Sequence, residues 1–266
     1  MSEMDVIEKT SMPITQRSIA DDLRSIGVKG GMTLFVHSSL SSIGWVCGGP
    51  MAVLNALIES LGDEGTLVMP CMSTDNSDPT DWENPPVPEE WKPIIIENMP
   101  AFDKERSPPR QMGAIVDAFR FWPGAERSDH PISIVALGKF SHEIVKEQPW
   151  SFPLGGGSPL ERCCDLGGYA LLIGTERNTT LHLAEHKADF NKKTRTNGAA
   201  VYESGKRAWK KYEDYDDYTG HFPTILREFA KTGQCNHSKV GNADSYLFKQ
   251  NDIVNFGIGW FERNLG

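Results

Sequence analysis

The pentapeptide His182-Leu-Ala-Glu185-His186 groups two imidazoles and a carboxylate on adjoining helical turns. This spacing allows three interpretations. The two histidines could be ligands of a zinc ion, with Glu185 as the base that activates water. Alternatively, His182 could accept a proton while Glu185 fixes its tautomer from the same helix face. The third interpretation is an ordinary polar face of a solvated helix, and the pentapeptide alone does not decide among the three.

The residues before the pentapeptide indicate how His182 is positioned. The run YALLIGT (169–175) is typical of a buried strand, and residues 178–180, Asn-Thr-Thr, are all competent helix caps. His182 is therefore expected in or near the first helical turn, where the helix dipole disfavours the imidazolium form. A carboxylate at Glu185 opposes that effect, and the balance suits a general base near neutral pH. A zinc site would need a third ligand, which no downstream glutamate-containing motif supplies.

Motifs of other catalytic and binding classes are missing from the sequence. It contains no Gly-x-Ser-x-Gly elbow, no Walker A sequence and no Gly-x-Gly-x-x-Gly after a strand. GGGSP (155–159) ends in a proline that suits a turn better than a nucleophile. The net charge of −9, from 36 acids and 27 bases, leaves no basic stripe for nucleic-acid phosphates and suits a cationic ligand.

The composition indicates a soluble globular protein. Hydrophobic residues make up 39% and charged residues 24% of the 266 residues, and no apolar run approaches the roughly 18–20 residues that span a bilayer. The N-terminal MSEMDVIEKTSM has no signal-peptide pattern. The five cysteines include no Cys-x-x-Cys, which indicates neither a disulfide framework nor a four-thiolate metal site. We therefore expect a cytoplasmic protein, because the cytosol is reducing.

Helix and strand patterns alternate along much of the chain. Apolar spacing predicts helices over 15–26 and, opened by Pro50, over 51–61. The predicted strands are MTLFVH (32–37), TLVMPCM (66–72), ISIVALG (132–138) and YALLIGT (169–175). This rhythm predicts an α/β fold, layered α/β/α with a central, mostly parallel sheet. Ligands of such sheets bind beyond the carboxyl ends of the strands, where His37 and Met72 fall.

Residues 73–110 depart from this rhythm. Prolines and acids crowd the stretch with little periodicity, which predicts a long loop that is either functional or disordered. Helical patterns resume at MGAIVDAFRFW (112–122), recur around 222–230 and close the chain near Gly266. We find no internal repeat and no clean linker, so we expect a single domain over 1–266 with a long loop at about 73–110.

Several stretches, taken in order, resemble the aminoglycoside 3-N-acetyltransferase family. They are FVHSSLSSIGWVCGGPMAVLNAL (35–57), TLVMPCM (66–72), SPPRQMGAIVDAFR (107–120), RSDHPISIVALG (127–138), LGGGSPLERCCDLGGYALLIGTERNTTLHLAEH (154–186) and the region around GKRAWKKYEDYDDYTG (205–220). The resemblance implies direct transfer of an acetyl group, in a ternary complex, from acetyl-coenzyme A to the 3-amino group of a 2-deoxystreptamine antibiotic. It also implies an α/β fold distinct from the common N-acetyltransferase superfamily. A different amine acceptor remains open.

The resemblance also implies roles for individual residues. His182 matches the family's histidine base, and Glu185 matches its partner carboxylate. His130, in the matching RSDHP turn, is a secondary candidate for lining the thioester site, and a role in stabilising the turn remains open. The residues expected to bind the coenzyme are His37, Ser38, Ser39, Leu40 and Ser41 after the first strand, with Ser107, Arg110, Met112 and Gly113 near the pantetheine arm. Backbone N–H groups of the loop after the first strand are candidate donors to the oxyanion that amine attack creates.

The acceptor of such a reaction carries several ammonium groups, so acidic side chains are expected around it. The candidates are Asp75, Asp78, Asp81 and Glu83 in the long loop and Glu213, Asp214, Asp216 and Asp217 in YEDYDDY (212–218). We favour Asp75, Asp216 and Asp217. We expect no metal, no nucleic-acid partner and no membrane partner, and the sequence leaves a homodimer open.

Overall fold

The computed structural model describes residues 2–83 and 85–266, in which seven strands form one mixed sheet. These strands are β1 (Thr33–Ser38), β2 (Thr66–Pro70), β3 (Glu126–Arg127), β4 (Ile134–Gly138), β5 (Tyr169–Ile173), β8 (Asn236–Val240) and β9 (Ala243–Lys249), while β6 (Thr194–Glu203) and β7 (Lys206–Tyr215) form a separate hairpin. Across the sheet the order is β3-β4-β2-β1-β5-β9-β8. β1 is parallel to β2 and β5, whereas the outer pairs are antiparallel, so the parallel pairing lies at the centre of the sheet.

Helices cover both faces of the sheet. They are α1 (Glu3–Glu8), α2 (Gln16–Ile26), α3 (Leu40–Ile43), α4 (Gly49–Leu61), α5 (Lys92–Asn98), α6 (Ala114–Phe119), α7 (Ser141–Val145), α8 (Pro159–Asp165), α9 (Thr180–Lys187), α10 (Phe222–Ala230) and α11 (Gln250–Leu265). One apolar core joins the sheet to α2, α4 and α6, and a second joins its other face to α7–α11. The expected α/β/α layering is confirmed. Within 2–83 and 85–266, no helix has the length and apolar character needed to cross a membrane.

The middle of the central strand β1 is apolar because both of its faces are buried. Leu34 and Val36 belong to the core on one face of the sheet, and Phe35 belongs to the core on the other. All three side chains are fully buried. Burying a large aliphatic or aromatic side chain contributes about 1.5–3 kcal/mol, so both helical layers depend on this strand. The carboxyl end of β1 is consequently held in a fixed place, and that end carries His37.

Local signals set the ends of the predicted helices. Thr15 caps α2 through reciprocal bonds with Ser18, and Gly27 ends the helix at φ +112°. The helices predicted over 51–61 and around 222–230 are confirmed as α4 and α10. The serine of GGGSP, Ser158, accepts a hydrogen bond from the Glu161 N–H and so caps α8.

The segment over 73–110 is more structured than an irregular loop. It contains the helix α5 and two 3-10 turns, Pro79–Asp81 and Glu89–Trp91, among its described residues. Prolines stand at or near the start of each of these short elements, where their fixed φ favours a helical turn. The helix of seven residues is too short to show a clear apolar periodicity in the sequence. The stretch predicted as one long loop therefore includes a short helix over 92–98.

Arg127 fastens the base of this segment. Its guanidinium donates five hydrogen bonds, to Ser133 Oγ (2.8 Å), the Lys104 and Ser107 carbonyls (3.1 and 2.7 Å), the Cys71 carbonyl (2.5 Å) and Ser73 Oγ (2.9 Å). These partners include both ends of the segment and the end of β2. Because Arg127 is buried, the bonds satisfy donors that would otherwise be costly to desolvate.

Asn76 joins the same segment to the hairpin. Its side-chain amide donates to the Ala200 carbonyl at 3.0 Å, and its oxygen accepts from the Ala200 N–H at 2.8 Å. The Phe102 N–H also donates to the Ala200 carbonyl, at 2.7 Å. The Asn76 side chain thus pairs with β6 as the backbone of a neighbouring strand would. These bonds hold the segment against the hairpin.

Candidate active site

A cavity of about 760 Å³ lies at the carboxyl ends of β1 and β2. Its volume is within the range of about 300–1,000 Å³ that is usual for small-molecule sites. Seven of the residues that the sequence predicted to bind coenzyme lie in its wall: His37, Ser38, Ser39, Leu40, Ser41, Met112 and Gly113. Met72, which was expected at a strand end, lies there too. The two loops that follow β1 and β2 therefore meet at one cavity, as parallel neighbours should.

Ser107 and Arg110 do not form part of this wall. The Ser107 carbonyl accepts from Arg127, and its hydroxyl accepts from the Asp103 N–H at 2.9 Å. Arg110 forms an ion pair with Asp75. Their contacts are with other residues of the 73–110 segment and with Arg127 and Met72 at its base, and their role at the coenzyme stays a prediction.

The loop after β1 packs closely against the end of β5. Ser42 Oγ donates to Ser39 Oγ at 2.8 Å and lies 3.2 Å from the Gly174 carbonyl. Gly174 has φ +64°, and a Cβ there would clash with the Ser42 side chain. Glycine is required at this position for both reasons, because only it permits the left-handed backbone and the close approach.

His37 connects the end of β1 to the start of α9. Its Nε2 accepts a hydrogen bond from the Thr179 N–H at 3.1 Å, so the neutral ring carries its proton on Nδ1. Burial, with smaller contributions from the charges of His182 and Arg177, lowers the pKa of His37 to about 3. The imidazole is therefore neutral near pH 7 and acts as a fixed acceptor for the helix start.

His182 lies in the first turn of α9, as the sequence predicted. Its backbone N–H donates to the Thr179 carbonyl at 3.1 Å. Its Nδ1 is 3.2 Å from Glu185 Oε2, and the Glu185 side chain is almost fully buried. The His182 side chain is 24% exposed, and its Nε2 has no hydrogen-bond partner among the residues described. One ring nitrogen is thus held by a carboxylate, while the other remains available.

His186 has different surroundings, although it lies only one turn further along α9. Its Nε2 is 3.5 Å from Asp214 Oδ1, and its ring packs against Phe152 and Tyr215 at centroid distances of 5.8 and 4.8 Å. Burial lowers its pKa to about 3. The two imidazoles contact separate carboxylates, and over 2–83 and 85–266 no group of three His, Cys, Asp or Glu is placed to hold a metal.

Two acids of the YEDYDDY region lie near His182. Burial raises the pKa of Asp214, while the Tyr215 N–H and the charge of His182 act in the opposite direction. Partial burial would also raise the pKa of Asp217, but hydrogen bonds from Thr219 and the charge of His182 hold it below its ordinary value. The charge of His182 therefore lowers the pKa of both carboxyl groups, whereas the imidazole that contacts Asp214 directly is that of His186.

Charged residues of the 73–110 segment and of the region around the hairpin also influence one another. Burial raises the pKa of Asp81, which also senses the charges of Arg195, Asp78 and Asp216. Of the three acids favoured from sequence, Asp217 lies near His182, Asp216 lies near Asp81, and Asp75 is paired with Arg110. Their role in binding an acceptor stays a prediction.

The sequence made Asp214 one of several candidate acids but did not favour it, because no strand was recognised over this region. The structure shows that the region begins as β7, in which alternate side chains share a face. Tyr212 is buried and Asp214 is half-buried, whereas Glu213 between them is exposed. Recognition of the strand would have separated Asp214 from Glu213. Arg177 and Trp45, which line the cavity, carried no comparable signal.

His130, a secondary candidate from sequence, has bonds that stabilise its own turn. Its Nδ1 accepts from the Ile132 N–H at 2.9 Å, and its Nε2 is 3.2 Å from the Trp150 carbonyl. Burial lowers its pKa to about 4. The residue is fully buried and does not belong to the cavity wall, so these contacts support a structural role.

Comparisons with known proteins agree with this geometry. The model of the aminoglycoside 3-N-acetyltransferase family matches residues 35–262. The SPbeta prophage-derived aminoglycoside N(3')-acetyltransferase-like protein YokD of Bacillus subtilis (strain 168) is 43% identical, over 97% of this chain and 96% of its own. Aminoglycoside N(3)-acetyltransferase IX of Micromonospora chalcea is 34% identical, over 100% of this chain and 99% of its own.

Solved structures show the same fold. The crystal structure of YokD superposes with a TM-score of 0.95 over 98% of both chains, at 43% identity. AAC-IIIb, in a binary complex with CoASH, gives 0.85 at 30% identity over 96% of this chain and 98% of its own. AAC-VIa bound to sisomicin gives 0.86 at 28% identity over 96% and 100%.

The resemblance seen in the ordered motifs is therefore confirmed. The family model covers most of the chain, and both relatives match it over nearly their whole length. The chain belongs to the aminoglycoside 3-N-acetyltransferase family, a family of acyltransferases.

Proposed function

We propose that the protein transfers the acetyl group of acetyl-coenzyme A directly to the 3-amino group of a 2-deoxystreptamine aminoglycoside. The observation that carries this proposal is the pairing of His182 Nδ1 with Glu185 Oε2 at the start of α9. His37, in the cavity wall, accepts a hydrogen bond from the Thr179 N–H immediately before this helix. Family membership, a relative solved with CoASH and a relative solved with sisomicin support the choice of donor and acceptor. We further propose that 1–266 acts as one domain with 73–110 on its acceptor side.

The cavity supplies the coenzyme site in this proposal. Its wall combines the hydroxyl-rich loop Ser38–Ser41 with Met112 and Gly113 from the start of α6. A pantetheine arm offers amide groups and methylene groups to such a mixed surface. Thr179, which His37 bonds, also lies in the wall, so the cavity reaches the residue before the helix of His182.

His182 acts as the general base. The acceptor enters as an ammonium ion and must lose a proton before its nitrogen can attack the acetyl carbonyl carbon. Nε2 of His182 accepts this proton, and Glu185 stabilises the resulting imidazolium through Nδ1–H. The new C–N bond forms as the C–S bond breaks, and the imidazolium returns its proton to the leaving sulfur. The second proton of the attacking nitrogen then passes to the neutral Nε2 and on to solvent, so the products are a neutral amide, a free thiol and one released proton. A thioester is reactive enough that positioning and proton removal suffice.

The acids near His182 provide the acceptor site. Asp214 and Asp217 lie close to His182, and Asp81 lies with Asp216 on the 73–110 side. Their negative field favours a polyammonium ligand and orients one amine towards the base. Because such attraction is screened by salt, the KM for the acceptor should rise with ionic strength.

The test is an assay of free thiol release from acetyl-coenzyme A in the presence of a panel of 2-deoxystreptamine antibiotics. His182→Ala should lower kcat by about 10²–10⁴-fold, as expected for loss of a general base. The matched control is His142→Ala on α7, an 82% exposed histidine paired with Glu126, which should retain the wild-type rate. Nuclear magnetic resonance of the product should show acetylation at the 3-amino group.

Two results would contradict the proposal in different ways. Absence of thiol release with every aminoglycoside would reject the acceptor class. A wild-type rate for His182→Ala would reject the assignment of the base while leaving the reaction in place.

A further inference from the structure

The N-terminal helix α1 forms part of the cavity wall. Ser2, Glu3 and Val6 line the cavity together with Trp45 and Val46 from the loop after α3. Residues 2–6 precede the region that the family model matches, which begins at residue 35. None of the motifs that suggested the coenzyme site includes them.

The segment that follows α1 is firmly attached to the loop that carries Trp45. The Trp45 N–H donates to Thr10 Oγ1 at 2.9 Å. Ile14 pairs with Val46 in a parallel bridge, accepting from the Cys47 N–H at 2.8 Å and donating to the Trp45 carbonyl at 3.0 Å. The hydrogen-bonded residues Thr10 and Ile14 therefore hold the end of α1 at the rim of the cavity.

The helix itself has few contacts with the core. None of its residues is buried, Val6 is half-buried, and Met4 and Ile7 are 63% and 46% exposed. Glu3 Oε1 accepts from the Trp45 indole N–H at 3.2 Å. A six-residue helix is not stable alone, so its few packing contacts decide its placement. Val6 is the least exposed residue of the helix, and both Val6 and Trp45 line the cavity.

We infer that α1 and Trp45 are a coenzyme-binding element, in which Val6 and the Trp45 indole pack against bound coenzyme A and raise its affinity. The inference rests on the proposed function, because it takes the ligand of the cavity to be coenzyme A. Coenzyme A carries an adenine ring and a gem-dimethyl group, which an indole face and an isopropyl group can cover. The element contributes to binding of the donor and not of the aminoglycoside.

The test compares two substitutions in the same helix. Val6→Asp places a carboxylate in the cavity wall, whereas Ile7→Asp makes the same kind of change at a neighbouring residue outside that wall. Calorimetric titration with coenzyme A should show at least about tenfold weaker binding for Val6→Asp and a change of less than about twofold for Ile7→Asp. The KM for the aminoglycoside should stay at the wild-type value in both. A protein that lacks residues 2–8 but keeps Thr10 should bind coenzyme A as weakly as Val6→Asp.

Each other outcome overturns the inference. Wild-type coenzyme binding by Val6→Asp and by the truncated protein would show that α1 does not contact the ligand, with the proposed function unaffected. Equal losses in Val6→Asp and Ile7→Asp would show that helix stability alone is responsible. If the wild-type protein binds no coenzyme A, both the inference and the proposed function fail.

Discussion

His37 Nε2 accepts a hydrogen bond from the Thr179 N–H at 3.1 Å, so the central strand of the sheet is bonded to the residue that precedes α9. His182 follows three residues later, in the first turn of that helix. A neutral imidazole therefore helps to position the helix of a second imidazole, which we propose as the general base. We do not expect His37 to act as a base, because its Nε2, the ring nitrogen that could accept a proton, already accepts the hydrogen bond from Thr179.

Replacement of His37 should affect both stability and turnover. His37→Ala leaves the buried Thr179 N–H without its acceptor, which should lower the free energy of unfolding by about 1–3 kcal/mol. The start of α9 is then less well fixed, so kcat should fall. His37→Gln keeps a side-chain acceptor and should recover part of both losses. Urea unfolding and steady-state kinetics measure the two effects, and wild-type values for His37→Ala would contradict the positioning role.

The charge of Glu185 should matter more than its bulk. Glu185→Gln keeps an oxygen near Nδ1 of His182 but removes the charge that stabilises the imidazolium, so kcat should fall by about 10²-fold or more. The KM for acetyl-coenzyme A should not change. The control is Glu161→Gln, whose carboxylate pairs with Lys187 at 2.7 Å. Similar kcat values in the two variants would show that the charge at Glu185 has no part in turnover.

Asp214 should contribute to acceptor binding. Asp214→Asn removes a half-buried negative charge close to His182, so the KM for the aminoglycoside should rise by about tenfold, corresponding to about 1.4 kcal/mol. The KM for acetyl-coenzyme A should be unaffected. Glu213→Gln, which changes the exposed neighbour on the opposite face of β7, is the matched control. An equal rise in both variants would indicate only a general loss of negative charge.

Arg127 should determine the order of the 73–110 segment. Arg127→Lys keeps the charge but cannot reproduce five hydrogen bonds in a planar fork, so the free energy of unfolding should fall by about 2 kcal/mol or more. Limited proteolysis should cut the variant within the segment faster than the wild type. Arg106→Lys, at an 80% exposed side chain paired with Asp103, is the control. Equal cleavage rates for wild type and Arg127→Lys would contradict the anchoring role.

The buried histidines should make the fold sensitive to mild acid. The pKa of His130 is about 4 in the folded protein because of burial, below its ordinary value of 6.5. The unfolded chain therefore binds the proton first, and stability that is fully present above pH 6.5 is lost as the pH falls towards 4. At pH 5 the loss from this group is about 2 kcal/mol. His37 and His186, with pKa values of about 3, act in the same direction.

Urea unfolding between pH 8 and pH 5 measures this dependence. His130→Gln and His186→Gln each remove one group that the unfolded chain would protonate, so each should flatten the decline of stability with falling pH. A slope as steep as that of the wild type in both variants would show that other groups cause the acid sensitivity.

The parts of the fold that could be predicted carry local signals. A capping threonine and a left-handed glycine bound α2, and an unbroken apolar run marks β1 because both of its faces are buried. The hairpin of β6 and β7 was missed because only a minority of its side chains are buried, so neither strand shows a clear alternation. Its turn, Ser204-Gly205, has positive φ at both residues, as the turn of a two-residue hairpin requires. The Ser-Gly pair is the sequence signal that could have revealed this turn.

The same distinction applies to the candidate site. The pairing of His182 with Glu185 needs only the periodicity of one helix, and the wall formed by Ser38–Ser41 needs only the rule for strand ends. The bond between His37 and Thr179 joins residues 142 positions apart. Such a contact depends on which strands become neighbours in the sheet, and no local pattern encodes that order.

The five bonds of Arg127 make the stretch from Ser73 to Ser107 a ring that is closed at its base. Evolution can exchange the interior of such a ring without moving the cavity residues that we propose to hold the acetyl donor. From the proposed function we expect that a graft of this ring from a relative, with Arg127 and the Asn76 bridge to Ala200 kept, changes the choice of amine and leaves the transfer chemistry in place.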